Sequence, residues 1–172
     1  MRAELSDQKI TKGAMISKCQ NYRYTLSRIW EARGAVCTFI MLNPSTADEN
    51  TDDPTIRRCM GFARRLGCGS LWVVNLFAFR ATSPSAMKAA DDPVGPGNDI
   101  VLAETFTHAR YTPTPVIAAW GAHGDFKGRA DAVAQMALDH SVTLQCLGRT
   151  MSGAPRHPLY LSNDAMPEPW RQ

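Results

Sequence analysis

A chain of 172 residues with 44% hydrophobic and 20% charged content can bury one substantial core, which fits a single ordinary globular domain. A net charge of +3 and a sequence pI of about 8.7 permit nucleic-acid contact, without the dense Lys/Arg footprint of a strongly basic binder. Five scattered cysteines, a charged N-terminus and the lack of any apolar run near ~18 residues argue against a disulfide scaffold, a secretion signal and a membrane span.

The expectation is therefore a cytoplasmic protein with free thiols and no membrane partner. Residues 1–20 read as an N-terminal extension to one domain spanning 1–172. "CQNYRYTLSRIW" then alternates aromatic and polar residues through Tyr22, Tyr24 and Leu26, the pattern of a half-buried strand near a sheet edge. "VCTFIML", Val36 to Leu42, is almost wholly apolar, as in a strand covered on both faces. Asp53-Pro54 predicts a helix start, with the carboxylate as cap and proline in the first turn. Ile56, Cys59, Met60, Ala63 and Leu66 form its apolar stripe, and Gly67 its stop. Arg57, Arg58, Arg64 and Arg65 fall mostly off that stripe and read as a solvated face.

"SLWVVNLFAF" is a second buried strand. Ser83-Pro84 opens a short helix. The loop "DDPVGPGND" leads to a helix over Ile100 to Ala109, with Asn98 or Asp99 as cap. "PVIAAW" is a third buried strand, Ala130 to His140 a helix, and "VTLQCLG" a fourth strand. The Pro-, Gly- and Ser-rich tail excludes a long helix. Buried strands alternating with helices predict an α/β domain with a mainly parallel sheet. In such sheets ligands bind beyond the C-terminal ends of the strands.

Candidate residues cluster at those ends. Asn43, Pro44 and Ser45 follow the first buried strand. Asn75 stands near the end of the second, followed by Phe77 and Arg80; Gly121 and His123 follow the third, and Arg156 and His157 the fourth. Amides match the edge of a nucleobase, aromatic rings stack on bases, arginines suit phosphates, and histidines steady developing charge. Each has a plainer role. Asn43 can serve the turn before Pro44, Phe77 can be core, the histidines can be surface groups, and Asp48, Asp52 and Asp53 can be turn and cap residues. Asn75 inside an apolar strand is harder to dismiss, because a buried amide needs partners. No metal-ligand spacing, phosphate loop or G-x-S-x-G elbow is present, so neither a metal nor a cofactor is expected.

The blocks "FIMLNPSTADENTDDPTIRRC", "VVNLFAFRAT", "DPVGPGND", "AAWGAHG" and "PRHPLYLS" resemble the bacterial domain-of-unknown-function family 1643, over about Tyr22 to Ser162. More distantly, their order is similar to the uracil-DNA glycosylase superfamily. "MLNPS" resembles its Asn-Pro version of the first motif, "LWVVN" its base-reading Asn, and "RHPLYLS" its His-Pro loop. That resemblance implies a three-layer α/β/α sandwich with a short, mainly parallel sheet. It further implies a DNA or nucleoside N-glycosylase, with a nucleic acid or nucleotide as partner. Asn75 would read the base, Phe77 stack on it, and Asn43 hold water with Asp48 as the nearby base. His157 would stabilise the departing base, and Arg156, with some of Arg57, Arg58 and Arg80, would meet phosphates. The sequence departs from the pattern in two respects. Asn43 stands where the uracil-specific branch has an acid, and "STADENTDDP" lacks the stacking aromatic. Two alternatives follow: a non-catalytic module that binds a nucleotide or modified base, and a small-nucleotide hydrolase or transferase using the acidic 48–53 loop, with Mg²⁺ as a candidate ion.

Overall fold

A computed structural model describes residues 9–171. Its main elements are β1 (Thr11–Ile16), β2 (Arg23–Ile29), β3 (Val36–Met41), α1 (Pro54–Arg65), β4 (Ser70–Asn75), α2 (Pro84–Lys88), α3 (Asn98–Tyr111), β5 (Val116–Ala118), α4 (Arg129–Asp139), β6 (Gln145–Cys146) and β7 (Glu168–Pro169). They make an α/β fold around one seven-stranded sheet of order β1-β2-β4-β3-β5-β6-β7.

The sheet is mixed. β4, β3, β5 and β6 run parallel, whereas β1, β2 and β7 pair antiparallel at the flanks. The apolar runs of the sequence are the parallel centre. Of the flanks, β2 is the half-buried strand expected near a sheet edge, whereas β1 and β7 escaped notice because "TKGAMI" and the dipeptide Glu168-Pro169 carry no buried pattern and are placed by pairing alone. β1 thus lies inside the predicted extension, while residues 1–8 are outside the described part.

Adjacent residues on each central strand face opposite sides. Phe39, Val73 and Ile117 meet Ile56, Cys59 and Phe62 of α1. Ile40, Val74 and Ala118 meet Leu102 and Phe106 of α3 and Val133 of α4. Asp53 caps α1 as predicted, accepting the Ile56 N–H at 2.8 Å, and Cys59 is fully buried packing. All five cysteines are free thiols. Asn98 is not the cap of α3. That position belongs to Gly97, and the buried Asn98 amide instead donates to the carbonyls of Asn75 (3.0 Å) and Leu76 (3.1 Å).

Two sets of arginines hold the loops around the strand ends. From β2, fully buried Arg28 donates to Asp52 Oδ1 at 2.7 Å and to the carbonyl of Asp48, and Arg23 donates to the carbonyl of Ala47. From α1, Arg58 donates to the carbonyls of Pro158 (3.2 Å) and Leu161 and to Asn163, while Arg65 reaches Ala165. Helix arginines that the sequence placed on a solvated face therefore clasp the C-terminal segment.

Candidate functional site

The parallel strands end in register, with Met41 opposite Asn75. The ladder continues past them, because the Leu76 and Phe77 N–H groups donate to the carbonyls of Met41 and Leu42. Beyond this edge lies a cavity of about 600 Å³, within the range of ~300–1,000 Å³ usual for small-ligand sites.

Seven of the sequence candidates line it: Asn43, Ser45, Asn75, Gly121, His123, Arg156 and His157. They come from the ends of all four parallel strands or the loops that follow, the places where ligands gather in such sheets. Asn75 is only 1% exposed, and neither its Nδ2 nor its Oδ1 has a hydrogen-bond partner among the described residues. Its backbone is pinned by Asn98 from behind. An unpaired buried amide costs on the order of 1–3 kcal/mol, which makes Asn75 the foremost candidate on this wall for a ligand contact. Asn43 has its Nδ2 engaged by the carbonyls of Ala81 (2.9 Å) and Pro44 (3.1 Å), which leaves Oδ1 as the group able to meet a ligand.

His157 accepts the Leu159 N–H through Nδ1, so its neutral tautomer carries the proton on Nε2. Burial pushes its pKa below the usual imidazole value and outweighs the opposing pull of the Asp53 carboxylate. His123 is more exposed, and its Nδ1 lies 3.1 Å from the Lys88 ammonium, which donates to it. Gly121 turns the chain into this wall at φ +75°, a conformation that favours glycine.

Four candidates do not line the cavity. Phe77 is fully buried on the far side of the sheet, 5.7 Å from the Phe126 ring, so it is core and no stacking platform. Pro44 is buried, and its carbonyl accepts the Ala81 N–H. Arg80 donates to the carbonyl of Gln20. Asp48 accepts the Asn50 and Thr51 N–H groups, both at 2.8 Å, and these bonds hold its carboxyl below the usual range. It is a turn residue and a weak base.

The cavity adds residues that the sequence reading did not assign to it. Arg23 is 3% exposed, lines the wall, and has an unpartnered Nε. Burial brings its pKa down to about 10, against the raising influence of Asp53. The Asp53 carboxylate, known from sequence only as a helix cap, lines the same space with Oδ2 uncommitted among the described residues. Trp120 forms an aromatic wall, held edge to face by Trp170 at 4.8 Å. The arginine within an otherwise half-buried strand was the available signal for Arg23. Nothing local distinguished Asp53 from an ordinary cap.

Among the described residues, no three His, Cys, Asp or Glu side chains gather as a metal-binding group, and no helix is long and apolar enough to cross a membrane. A family model described as "Protein of unknown function (DUF1643)" matches residues 23–159. No curated protein and no solved structure matches the chain.

Proposed function

Because the chain belongs to the DUF1643 family, whose description names no activity, we propose from the site itself that this is a nucleobase-handling protein that hydrolyses N-glycosidic bonds. The carrying observation is the Asn75 amide, buried, unpaired and facing the cavity. A base edge presenting one acceptor and one donor satisfies both of its atoms. The orphaned Arg23 Nε offers a further donor to a carbonyl on the same ligand.

The chemistry uses the neighbouring groups. Asn43 Oδ1 and the free oxygen of Asp53 hold the attacking water. Asp53 takes its proton as the new C–O bond forms and the C–N bond breaks. It replaces Asp48 in this role, since Asp48 is committed to its own turn. The Nε2–H of neutral His157 donates to the base as negative charge develops on it. Exposed Arg156 at the mouth meets a phosphate. A base held in DNA reaches such a pocket only by leaving the stack. We read the fold as glycosylase-like for the same reasons: an Asn-Pro pair follows β3, a base-reading Asn ends β4, and helices lie on both faces of the parallel centre.

A second reading, binding without turnover, draws on the Asn43 amide nitrogen being locked to two carbonyls and on Asp53 being half engaged as a cap. The acidic loop favours a nucleotide hydrolase less, because Asp52 pairs with Arg28 and Lys12.

The test is incubation with oligonucleotides and free nucleosides carrying uracil, hypoxanthine, mismatched thymine or alkylated bases, followed by detection of abasic sites or released base. Wild type and Asp48→Asn should release base, whereas Asn75→Ala and Asp53→Asn should not. Binding without release in the wild type selects the second reading, and neither binding nor release rejects both.

A further inference from the structure

A second cavity of about 420 Å³ lies on the opposite face of the sheet, between β2, β4, β3 and helix α3. β4 serves both sites, since Val73 and Asn75 face the first and Ser70 and Trp72 the second. The partly buried Trp72 ring is flanked in register by Ser27 of β2 and Thr38 of β3. Thr25 and Ser70 stand on neighbouring rungs.

These hydroxyls set the cavity apart from a packing defect. Thr25, Thr38 and Ser70 are largely buried residues and Ser27 is half-buried, and none makes a side-chain hydrogen bond among the described residues; their oxygens stay open to the cavity, unlike the sealed amide of Asn75. Thr105 of α3, by contrast, is engaged both ways: it donates to the Val101 carbonyl at 2.8 Å and accepts Trp72 Nε1–H at 3.3 Å. The latter bond fixes the indole plane. Opposite Ser27 stands Gly13, where a Cβ would come within 2.8 Å of the Ser27 Oγ. A larger residue there would displace that hydroxyl.

We propose that this cavity binds an uncharged, flat, largely apolar small molecule carrying one or two hydrogen-bonding groups. Flatness follows from the fixed indole face, and polarity in the ligand from the unpartnered hydroxyls. Neutrality follows from the lining, whose only ionisable groups among the described residues are Glu104 and His108, both exposed on α3. Its volume of about 420 Å³ falls in the range of ~300–1,000 Å³ usual for small-molecule sites.

The test is an NMR titration of the isotope-labelled full chain with indole as probe, at pH 8. Saturable shifts are expected at the Trp72 ring N–H and at the amides of Thr25, Thr38, Ser70 and Thr105. Ser27→Leu, which fills the cavity, should weaken binding at least about tenfold. Thr38→Val keeps the shape, removes a hydroxyl, and should weaken binding about threefold while leaving the rest of the spectrum in place. Indole-3-acetate should bind more weakly than indole. The proposal is overturned by no saturable shift up to about 5 mM, weaker than most specific ligands, by shifts centred on Asn75 instead, or by Ser27→Leu binding indole as tightly as wild type.

Discussion

The two loops that wall the strand-end cavity are held by opposite means. The 43–53 loop is anchored from below by Arg23 and Arg28, both buried in β2, on the carbonyls of Ala47 and Asp48 and the carboxylate of Asp52. The 156–165 segment is clasped from outside by half-buried Arg58 and exposed Arg65 on α1, through the carbonyls of Pro158, Leu161 and Ala165. A buried guanidinium has no water to fall back on, so its partners are in effect permanent. Exposed Arg65 exchanges its carbonyl for water at little cost, and half-buried Arg58 at less cost than fully buried Arg28. The Asn43–Asp53 wall is therefore preorganised, and the wall carrying Arg156, His157 and Tyr160 can yield to a ligand.

The sharpest way to break this comparison is Arg28→Ala. It leaves Asp52 with only the longer Lys12 contact and several loop carbonyls without their donor, and a loss of about 3 kcal/mol is expected in chemical denaturation. A loss below ~1 kcal/mol would put the two anchors on the same footing. Next comes Asn75→Val. Removing an unpaired buried amide in favour of an apolar side chain should stabilise the fold by about 1–2 kcal/mol, while nucleotide or base binding, read by calorimetry, disappears. Stability and binding moving together would deny Asn75 its ligand role. Arg58→Ala should cost only about 1 kcal/mol globally. Its larger signature is faster hydrogen exchange confined to residues 158–163.

The smallest effect is a pH dependence. The folded pKa of His157 lies below its usual 6.5, so above that pH the residue is neutral in both states and stability is complete. As pH falls from 6.5 through the folded value, the unfolded chain takes up a proton that the folded chain refuses, and stability declines. His157→Gln should remove this component, read as a shallower fall in melting temperature between about pH 6.5 and 5.

Much of the fold was legible because it is written in local patterns. "VCTFIML", "SLWVVN" and "PVIAAW" are apolar on both faces and became the parallel centre, and Asp53-Pro54 marked the helix start exactly where the cap forms. The candidate site was legible in part, since the rule that ligands gather beyond strand ends recovered seven lining residues. It failed for Phe77, because alternation along an irregular stretch after β4 does not say which side is core. It failed for Asp48, because a free carboxylate and one closing its own turn have the same one-letter code. It missed Arg23, whose burial depends on a loop more than twenty residues away in sequence.

By itself, then, the sequence determined the element types, the strands that must be covered, and the amides and histidines that end them. Those depend on side-chain period and backbone propensity, which act over a few residues. Only the tertiary structure decided that the sheet is mixed, that α1's arginines hold the tail, that Asp53 rather than Asp48 faces the cavity, and that Asn75 is left without a partner. Each of these is a matter of which polar groups meet across the fold, and burial makes such meetings energetically decisive without leaving any trace in local order.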